Sequence, residues 1–151
     1  MRDSPWFLLF PVSFAGLVLM THFLTWRAAW KRLREASPGE VIRPPMIHAV
    51  SVMMDGVCRT RMAKAGVSSD GITLNLVWPF WFGDQPIRLN WQQLSEVYVR
   101  ENFFDITLHL RFLLDDTIIM IRIPGQWRDY VQKAIVDSGQ VLEIPVVNEI
   151  L

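Results

Sequence analysis

The stretch DGITLNLVWPFWFGDQPIRLNWQQLSEVYV, residues 70–99, decides the fold that this sequence predicts. Apolar and polar residues alternate in ITLNL and again in IRLNW, which is the period of a half-buried β-strand. The turn-forming letters DG and FGDQP bound these two runs. The alternation predicts that Trp78 and Trp91 point into a core. Pro79 interrupts the pattern, so the rings of residues 80–82 have no fixed face, and we expect at least one of them to be exposed.

The strand period continues on both sides of this stretch. Strands are predicted from Met46 to the Asp55-Gly56 turn, from Cys58 to the turn at 68–71, and around a tight turn at Asp115-Asp116. Residues 125–138 then show the apolar stripe of an amphipathic helix, followed by an extended apolar tail, 140–151. Residues 46–151 are therefore predicted to form a mostly antiparallel curved sheet or partly open barrel with one C-terminal helix.

The segment 70–99 resembles small bacterial pleckstrin-homology-like domains. Gly71-Ile72 matches the opening strand of that pattern, Trp81-Phe82-Gly83 matches its hairpin, and Trp91 with Leu94 matches its last element. Asn90 departs from the pattern, which favours proline there. The resemblance implies a PH-like fold, and in many members of that superfold a lipid or a protein as the ligand.

The apolar excess of the chain, 51% hydrophobic residues with a mean hydropathy of +0.22, is concentrated near its start. Residues 6–26 contain no Asp, Glu, Lys or Arg, and as a helix they extend roughly 30 Å, the thickness of a bilayer core. The weakly basic MRDSP and the lack of a small-x-small cleavage site favour a retained transmembrane helix over a signal peptide. Trp6 and Trp26 bracket this span at headgroup level.

The flanks of the span predict its orientation. Arg27, Lys31, Arg32 and Arg34 follow it and, with Trp30, are predicted to lie at the membrane interface in a basic juxtamembrane helix and linker, residues 27–45. The spacing of Trp26, Trp30 and Leu33 predicts one amphipathic stripe on this helix, and the Ser-Pro-Gly stretch at 37–39 is expected to stop it. Residues 1–5 are then external, and 46–151 form a cytoplasmic domain on the inner membrane. The sequence thus predicts a membrane-anchored, single-pass α+β protein. The lone cysteine agrees with a reducing compartment.

The charge distribution argues against nucleic-acid binding. The formal net charge is zero, with 15 basic and 15 acidic residues. Residues 1–43 hold six basic and three acidic residues, so they carry +3 and the remainder carries −3. A mildly acidic domain without a basic patch is expected to bind nucleic acid poorly, because it offers little positive charge to the phosphates.

The sequence shows no catalytic or metal-binding pattern. His22, His48 and His109 have no Cys, Asp or Glu at a metal-ligand spacing, and His109 is predicted to be a surface residue on the outer side of its strand. Cys58 has no recognisable partner, and Asp115-Asp116 is better explained as a turn than as a cation site. We therefore expect a protein that is not an enzyme and uses no cofactor or metal.

Two functions fit these features. The first is a non-catalytic interaction module that is anchored in the bilayer and binds a protein partner, with homo-oligomers left open. The second is a lipid-responsive domain that contacts the inner leaflet. The candidate binding surface is aromatic and basic: Phe80, Trp81, Phe82, Arg59, Arg61 and Lys64.

Overall fold

The computed structural model of the chain describes residues 6–43, 45–54, 57–77, 85–102, 104–140 and 145–148, with side chains outside 6–12, 57–60 and 146–148. Its elements, in chain order, are α1 (Trp6–Ala36), β1 (Met46–Met54), β2 (Val57–Val67), β3 (Gly71–Leu76), β4 (Ile87–Asn90), β5 (Leu94–Glu101), β6 (Ile106–Leu114), β7 (Thr117–Pro124), α2 (Arg128–Asp137) and β8 (Val146–Asn148). Short 3-10 turns, Trp91–Gln93 and Gly125–Trp127, lead into β5 and α2.

Seven antiparallel strands form one curled sheet. They lie in the order β4-β3-β2-β1-β7-β6-β5, so the first and last of these strands in the chain meet in the middle. There Ser51 of β1 lies opposite Arg122 of β7. The tail adds β8 as a short strand parallel to β5. The predicted curved antiparallel sheet with a C-terminal helix is confirmed, and this arrangement is compatible with a PH-like fold.

The alternation in residues 70–99 places the core residues as predicted. Ile72 and Leu74 of β3 and Ile87 and Leu89 of β4 are fully buried. Trp91 is also buried: its ring stacks on Phe112 of β6 with centroids 6.1 Å apart, and its indole N–H donates to the Ser68 carbonyl at 2.9 Å. Trp91 therefore connects the two halves of the sheet. Trp78 lies outside the described residues.

The C-terminal helix packs against this core. Val131 and Ile135 of α2 are buried, one turn apart, and Trp127 and Ala134 are packed beside them. These residues belong to the stripe predicted for 125–138, although the first turn is a 3-10 turn and Tyr130 is partly exposed. The stripe buries apolar surface that neither the helix nor the sheet could cover alone.

The C-terminal part of α1 belongs to the same core. Trp26, Trp30 and Leu33 are spaced to fall on one side of a helix, and all three are buried. The rings of Trp26 and Trp30 stack with centroids 5.4 Å apart. The helix ends at Ala36, immediately before the Ser-Pro-Gly stretch that was expected to stop it.

The residues after α1 cover the outer edge of β4. The Arg88 backbone N–H donates to the Ser37 carbonyl at 3.0 Å, and the Ser37 hydroxyl donates to the Arg88 carbonyl. The Gly39 N–H donates to the Pro86 carbonyl at 2.9 Å. Because these bonds use backbone groups that an edge strand leaves open, residues 37–39 both shield the sheet and attach α1 to it.

The predicted transmembrane topology is wrong. Among the residues described, none of the helices combines the length and the apolar character that crossing a bilayer requires. Trp26 and Trp30, which were assigned to the membrane interface, are instead buried in the domain core. The membrane-anchored, single-pass assignment and the inner-membrane localisation with an external N-terminus are corrected accordingly. The stripe was taken for an interfacial one because its spacing alone does not say what it packs against.

We predict that truncating the buried stripe of α1 destabilises the whole domain. Trp30→Ala should lower the free energy of unfolding by about 3–5 kcal/mol, because it removes a fully buried ring and leaves a cavity. Leu19→Ala, on the exposed part of the same helix, should change it by less than about 0.5 kcal/mol. Urea denaturation of the full chain measures both, and equal effects would contradict the packing of α1 on the sheet.

A pair of glycines gives a second test of the packing. A Cβ on Gly71 would lie 2.1 Å from the Leu89 carbonyl oxygen, whereas a Cβ on Gly16 would meet nothing within 4 Å. Gly71→Ala should therefore cost about 2–4 kcal/mol, because backbone must move. Gly16→Ala should be neutral or stabilise α1 by up to about 1 kcal/mol. Thermal unfolding followed by circular dichroism distinguishes them, and a tolerated Gly71→Ala would refute the β3–β4 register.

Candidate interaction surfaces

The first candidate surface is the exposed apolar part of α1, residues 13–25, called the apolar segment below. Its large side chains leave much of their surface open, from 38% for Val18 to 68% for Leu19. At about 100° per residue they point to several sides of the helix. They are Phe14, Leu17, Val18, Leu19, Met20 and Leu24. Such a cluster on an otherwise folded domain exceeds the scattered apolar residues of an ordinary surface.

The two threonines of the apolar segment bond to their own helix. The Thr25 hydroxyl donates to the Thr21 carbonyl at 2.8 Å, and the Thr21 hydroxyl donates to the Leu17 carbonyl. These two hydroxyl groups therefore need no water as an acceptor. Ser13 and His22 are the other polar side chains of the segment, and both are exposed.

The residues assigned to a membrane interface differ in how far the domain buries them. Trp26 and Trp30 are buried, Arg27, Lys31 and Arg32 are exposed, and Arg34 is half-buried. Lys31 approaches Glu35 at 3.9 Å, one turn along an exposed helix face, an ion pair of small energetic value. The Trp6 side chain lies outside the described residues. The basic residues thus flank the buried stripe of α1.

The predicted aromatic and basic surface is described in part. Phe80, Trp81 and Phe82 lie outside the described residues, as does the side chain of Arg59. Arg61 is exposed on β2 with φ of 55°, and its backbone N–H donates to the Ser51 hydroxyl at 3.1 Å. Lys64 is half-buried opposite Asn75 of β3. The exposure predicted for at least one of the three rings stays a prediction.

The second candidate surface is the side of β5–β7 that faces away from the core, here named the arginine face. The strand register aligns three rows across it. Glu96, Arg111 and Met120 form one row, Tyr98, His109 and Arg122 the next, and Arg100, Thr107 and Pro124 the third. Arg111 donates to the Glu96 carboxylate at 3.2 Å, and both side chains are partly exposed. Three guanidinium groups on adjacent strands therefore share one face.

His109 lies at the centre of the arginine face and is 1% exposed. Its ring stacks on Tyr98 with centroids 4.7 Å apart, and Nε2 lies 3.0 Å from the Thr107 hydroxyl. Nδ1 has no hydrogen-bond partner among the described residues. The prediction that His109 lies on the outer face of its strand is confirmed, but the prediction that it is exposed is wrong, because the neighbouring side chains cover it.

Burial, reinforced by the positive charges of Arg122 and Arg100, lowers the pKa of His109 to about 4. The imidazole is therefore neutral at physiological pH, and a proton on it would be repelled from both sides. The sequence shows that Arg100, Arg111 and Arg122 lie on outward positions of their strands. It does not show the register between strands that brings them together, so these residues were missed.

Two clefts lie near the β2–β3 turn, of about 370 and 360 Å³. Both include Asp70, whose carboxylate accepts from Arg88 at 2.8 Å. The first cleft is lined by two carboxylates, Glu40 and Asp70, and two arginines, Arg43 and Arg88, together with hydroxyl and backbone groups. In the second, the Ser69 hydroxyl donates to the Asp70 carboxylate at 3.1 Å. Across the described part of the chain, no three His, Cys, Asp or Glu side chains lie close enough to hold a metal ion.

The other residues considered for chemistry are separate. His22 and His48 are both exposed, the first on α1 and the second on β1. Asp115 adopts φ of 51° in the β6–β7 turn, so the predicted tight turn is confirmed. The sequence matches no protein-family model and no curated protein. A proposal about function therefore rests on the surfaces of the domain described above.

We predict that His109 makes the fold sensitive to acid. The unfolded chain takes up a proton on this residue near pH 6.5, but the folded chain does so only near pH 4. Its contribution to stability is therefore complete above pH 6.5 and is lost as the pH falls to 4, by at most about 3 kcal/mol. The difference in unfolding free energy between the wild type and His109→Gln, measured from pH 7 to pH 4, should follow this curve.

His48→Gln supplies the control for the substitution itself. Because the His48 side chain is exposed, its replacement should change the unfolding free energy at pH 7 by less than about 0.5 kcal/mol. A flat difference between the wild type and His109→Gln over the same pH range would contradict the burial of His109.

Proposed function

We propose that this chain is a non-catalytic protein-interaction module: a PH-like domain that presents the apolar segment of α1 to a partner protein. One observation carries the proposal. The C-terminal part of α1 is fixed in the core through Trp26, Trp30 and Leu33, while the apolar segment on the same continuous helix stays exposed. A rigid element that is apolar and uncovered is a binding element.

The chemistry of the apolar segment specifies its partner. Leu19 points away from Leu17 and Leu24, so a single flat surface would leave part of the segment in water. A partner that contacts the helix from more than one side would cover it, as a groove between apolar helices does. The internal hydrogen bonds of Thr21 and Thr25 suit such a groove, because neither threonine hydroxyl needs an external acceptor.

The PH-like assignment supplies the framework of this proposal. It rests on the strand order that joins β1 to β7, on the C-terminal helix and on the residues matched in 70–99. Fold alone does not give function, so the binding role rests on α1. The lipid-responsive alternative stays a prediction, since its aromatic part, Phe80, Trp81 and Phe82, lies outside the described residues.

Site-specific photocrosslinking in cells tests the proposal. A crosslinker at Leu19 should capture a defined protein, whereas one at Arg32, exposed on the anchored part of α1, should capture it weakly. The captured protein is then produced and its affinity for the full chain measured. Replacing Leu17, Leu19 and Met20 together by serine should weaken binding a hundredfold or more, since each buried side chain contributes roughly 1.5–3 kcal/mol.

Val41→Ser is the matched control, because Val41 is an 83% exposed apolar residue of the linker. It should leave the affinity unchanged, and both variants should keep the unfolding free energy of the wild type. Two outcomes contradict the proposal. One is a chain that stays monomeric and gives no crosslink specific to the apolar segment. The other is a chain that binds phospholipid vesicles through this segment and no protein.

A further inference from the structure

The arginine face is a second surface with the properties of a binding site, and it lies on β5–β7. The segment after α1 is hydrogen-bonded to β4, which is the first strand in the sheet order, whereas β7, β6 and β5 come after β1 in that order. Its three arginines come from three neighbouring strands, and Glu96 on the same face engages Arg111. An accumulation of guanidinium groups on one exposed sheet face favours a ligand that brings negative charge.

Arg122 is the central cation of this face. It lies beside His109 in the register of β6 and β7, and its side chain is half-buried. Within the part of the chain that the structure describes, Arg122 pairs with no carboxylate. The buried neutral ring of His109 lies next to Arg122 in the sheet and carries no charge that would neutralise the guanidinium. A partly desolvated, uncompensated guanidinium binds a carboxylate more strongly than a fully hydrated cation would.

An apolar pair marks one end of the same face. Leu113 and Ile118 lie opposite each other on β6 and β7 and are 51% and 40% exposed. Ile118 precedes Arg122 by four residues on β7, which is roughly 13 Å along an extended strand. The face therefore offers an apolar contact and a cationic contact at a fixed separation. An extended peptide reaches both, while a small anion reaches the arginines alone.

We propose that the arginine face binds an extended acidic segment of a partner protein. The carboxylates of that segment bind Arg122, with Arg100 and Arg111 adding positive charge, and an apolar side chain about four residues away packs on Leu113 and Ile118. This proposal is independent of the one for α1, because the two surfaces share no residue.

Fluorescence anisotropy with the full chain tests this inference. The probe is a labelled peptide in which a leucine precedes two glutamates by four residues, and its counterpart carries glutamines instead. The acidic peptide should bind, more weakly as the salt concentration rises, and the glutamine peptide at least tenfold more weakly. Arg122→Gln should weaken binding of the acidic peptide roughly tenfold or more, while Arg122→Lys should retain part of it.

Lys133→Gln is the matched control, since it removes one exposed positive charge from α2, which packs on the core side of the sheet. It should change the affinity less than twofold. A second readout is the titration of His109 by NMR. Bound carboxylates offset the repulsion from Arg122 and Arg100, so the peptide should raise the pKa of His109 above its value in the free chain. Thermal unfolding checks that each variant is folded.

Four results would overturn the inference. The first is no binding of the acidic peptide by the wild type at low salt. The second is an equal loss in Arg122→Gln and Lys133→Gln, which would indicate a response to net charge. The third is an unchanged affinity in the double variant Leu113→Ser, Ile118→Ser, which would show that the peptide makes no apolar contact with these two residues. The fourth is binding of anionic vesicles or inorganic phosphate through Arg122 with no binding of the peptide.

Discussion

The contact of Trp91 with Phe112 is the interaction on which the rest of the fold depends. Trp91 follows β4 and starts the turn into β5, and its ring lies against β6 while its indole N–H reaches the β2–β3 turn. One side chain thus fixes the point where the first half of the sheet passes into the second. The pairing of β1 with β7 then joins the halves through backbone bonds. Without this centre, neither α2 nor the end of α1 would have a concave surface to cover.

The two proposed binding surfaces follow from how this sheet is covered. Its inner side is filled by strand residues, by α2 and by the stripe of α1. The apolar segment of α1, residues 13–25, extends past that covered region, and its large apolar side chains Phe14, Leu17, Val18, Leu19, Met20 and Leu24 are exposed. On the outer side, none of the helices in the described part of the chain covers β5–β7, so charged side chains and one buried histidine define the surface. Apolar and electrostatic recognition are therefore assigned to different elements.

Local patterns predicted most of the elements, and nonlocal contacts account for what was missed. The alternation around Ile72 and Leu89 identified buried positions correctly, because the period of a strand is a property of neighbouring residues. The stripe of Trp26, Trp30 and Leu33 was identified as well, but its partner was assigned wrongly, since spacing does not reveal whether lipid or a sheet covers a helix. For His109, exposure depends on Tyr98 and Arg122, which are brought close only by the register of three strands.

The hydrogen bonds between Ser37 and Arg88 have a mechanical consequence. Because α1 is continuous and the residue after its end is hydrogen-bonded to the outer edge of β4, a force on the helix is transmitted directly to the sheet. A force applied to the exposed part of α1 therefore acts as a torque on β4, since no flexible linker separates the two. Through β3, that load passes to the β2–β3 turn, which carries the Ser68 carbonyl that holds Trp91. Binding of a partner to α1 therefore applies force to the residues around Trp91 at the centre of the domain.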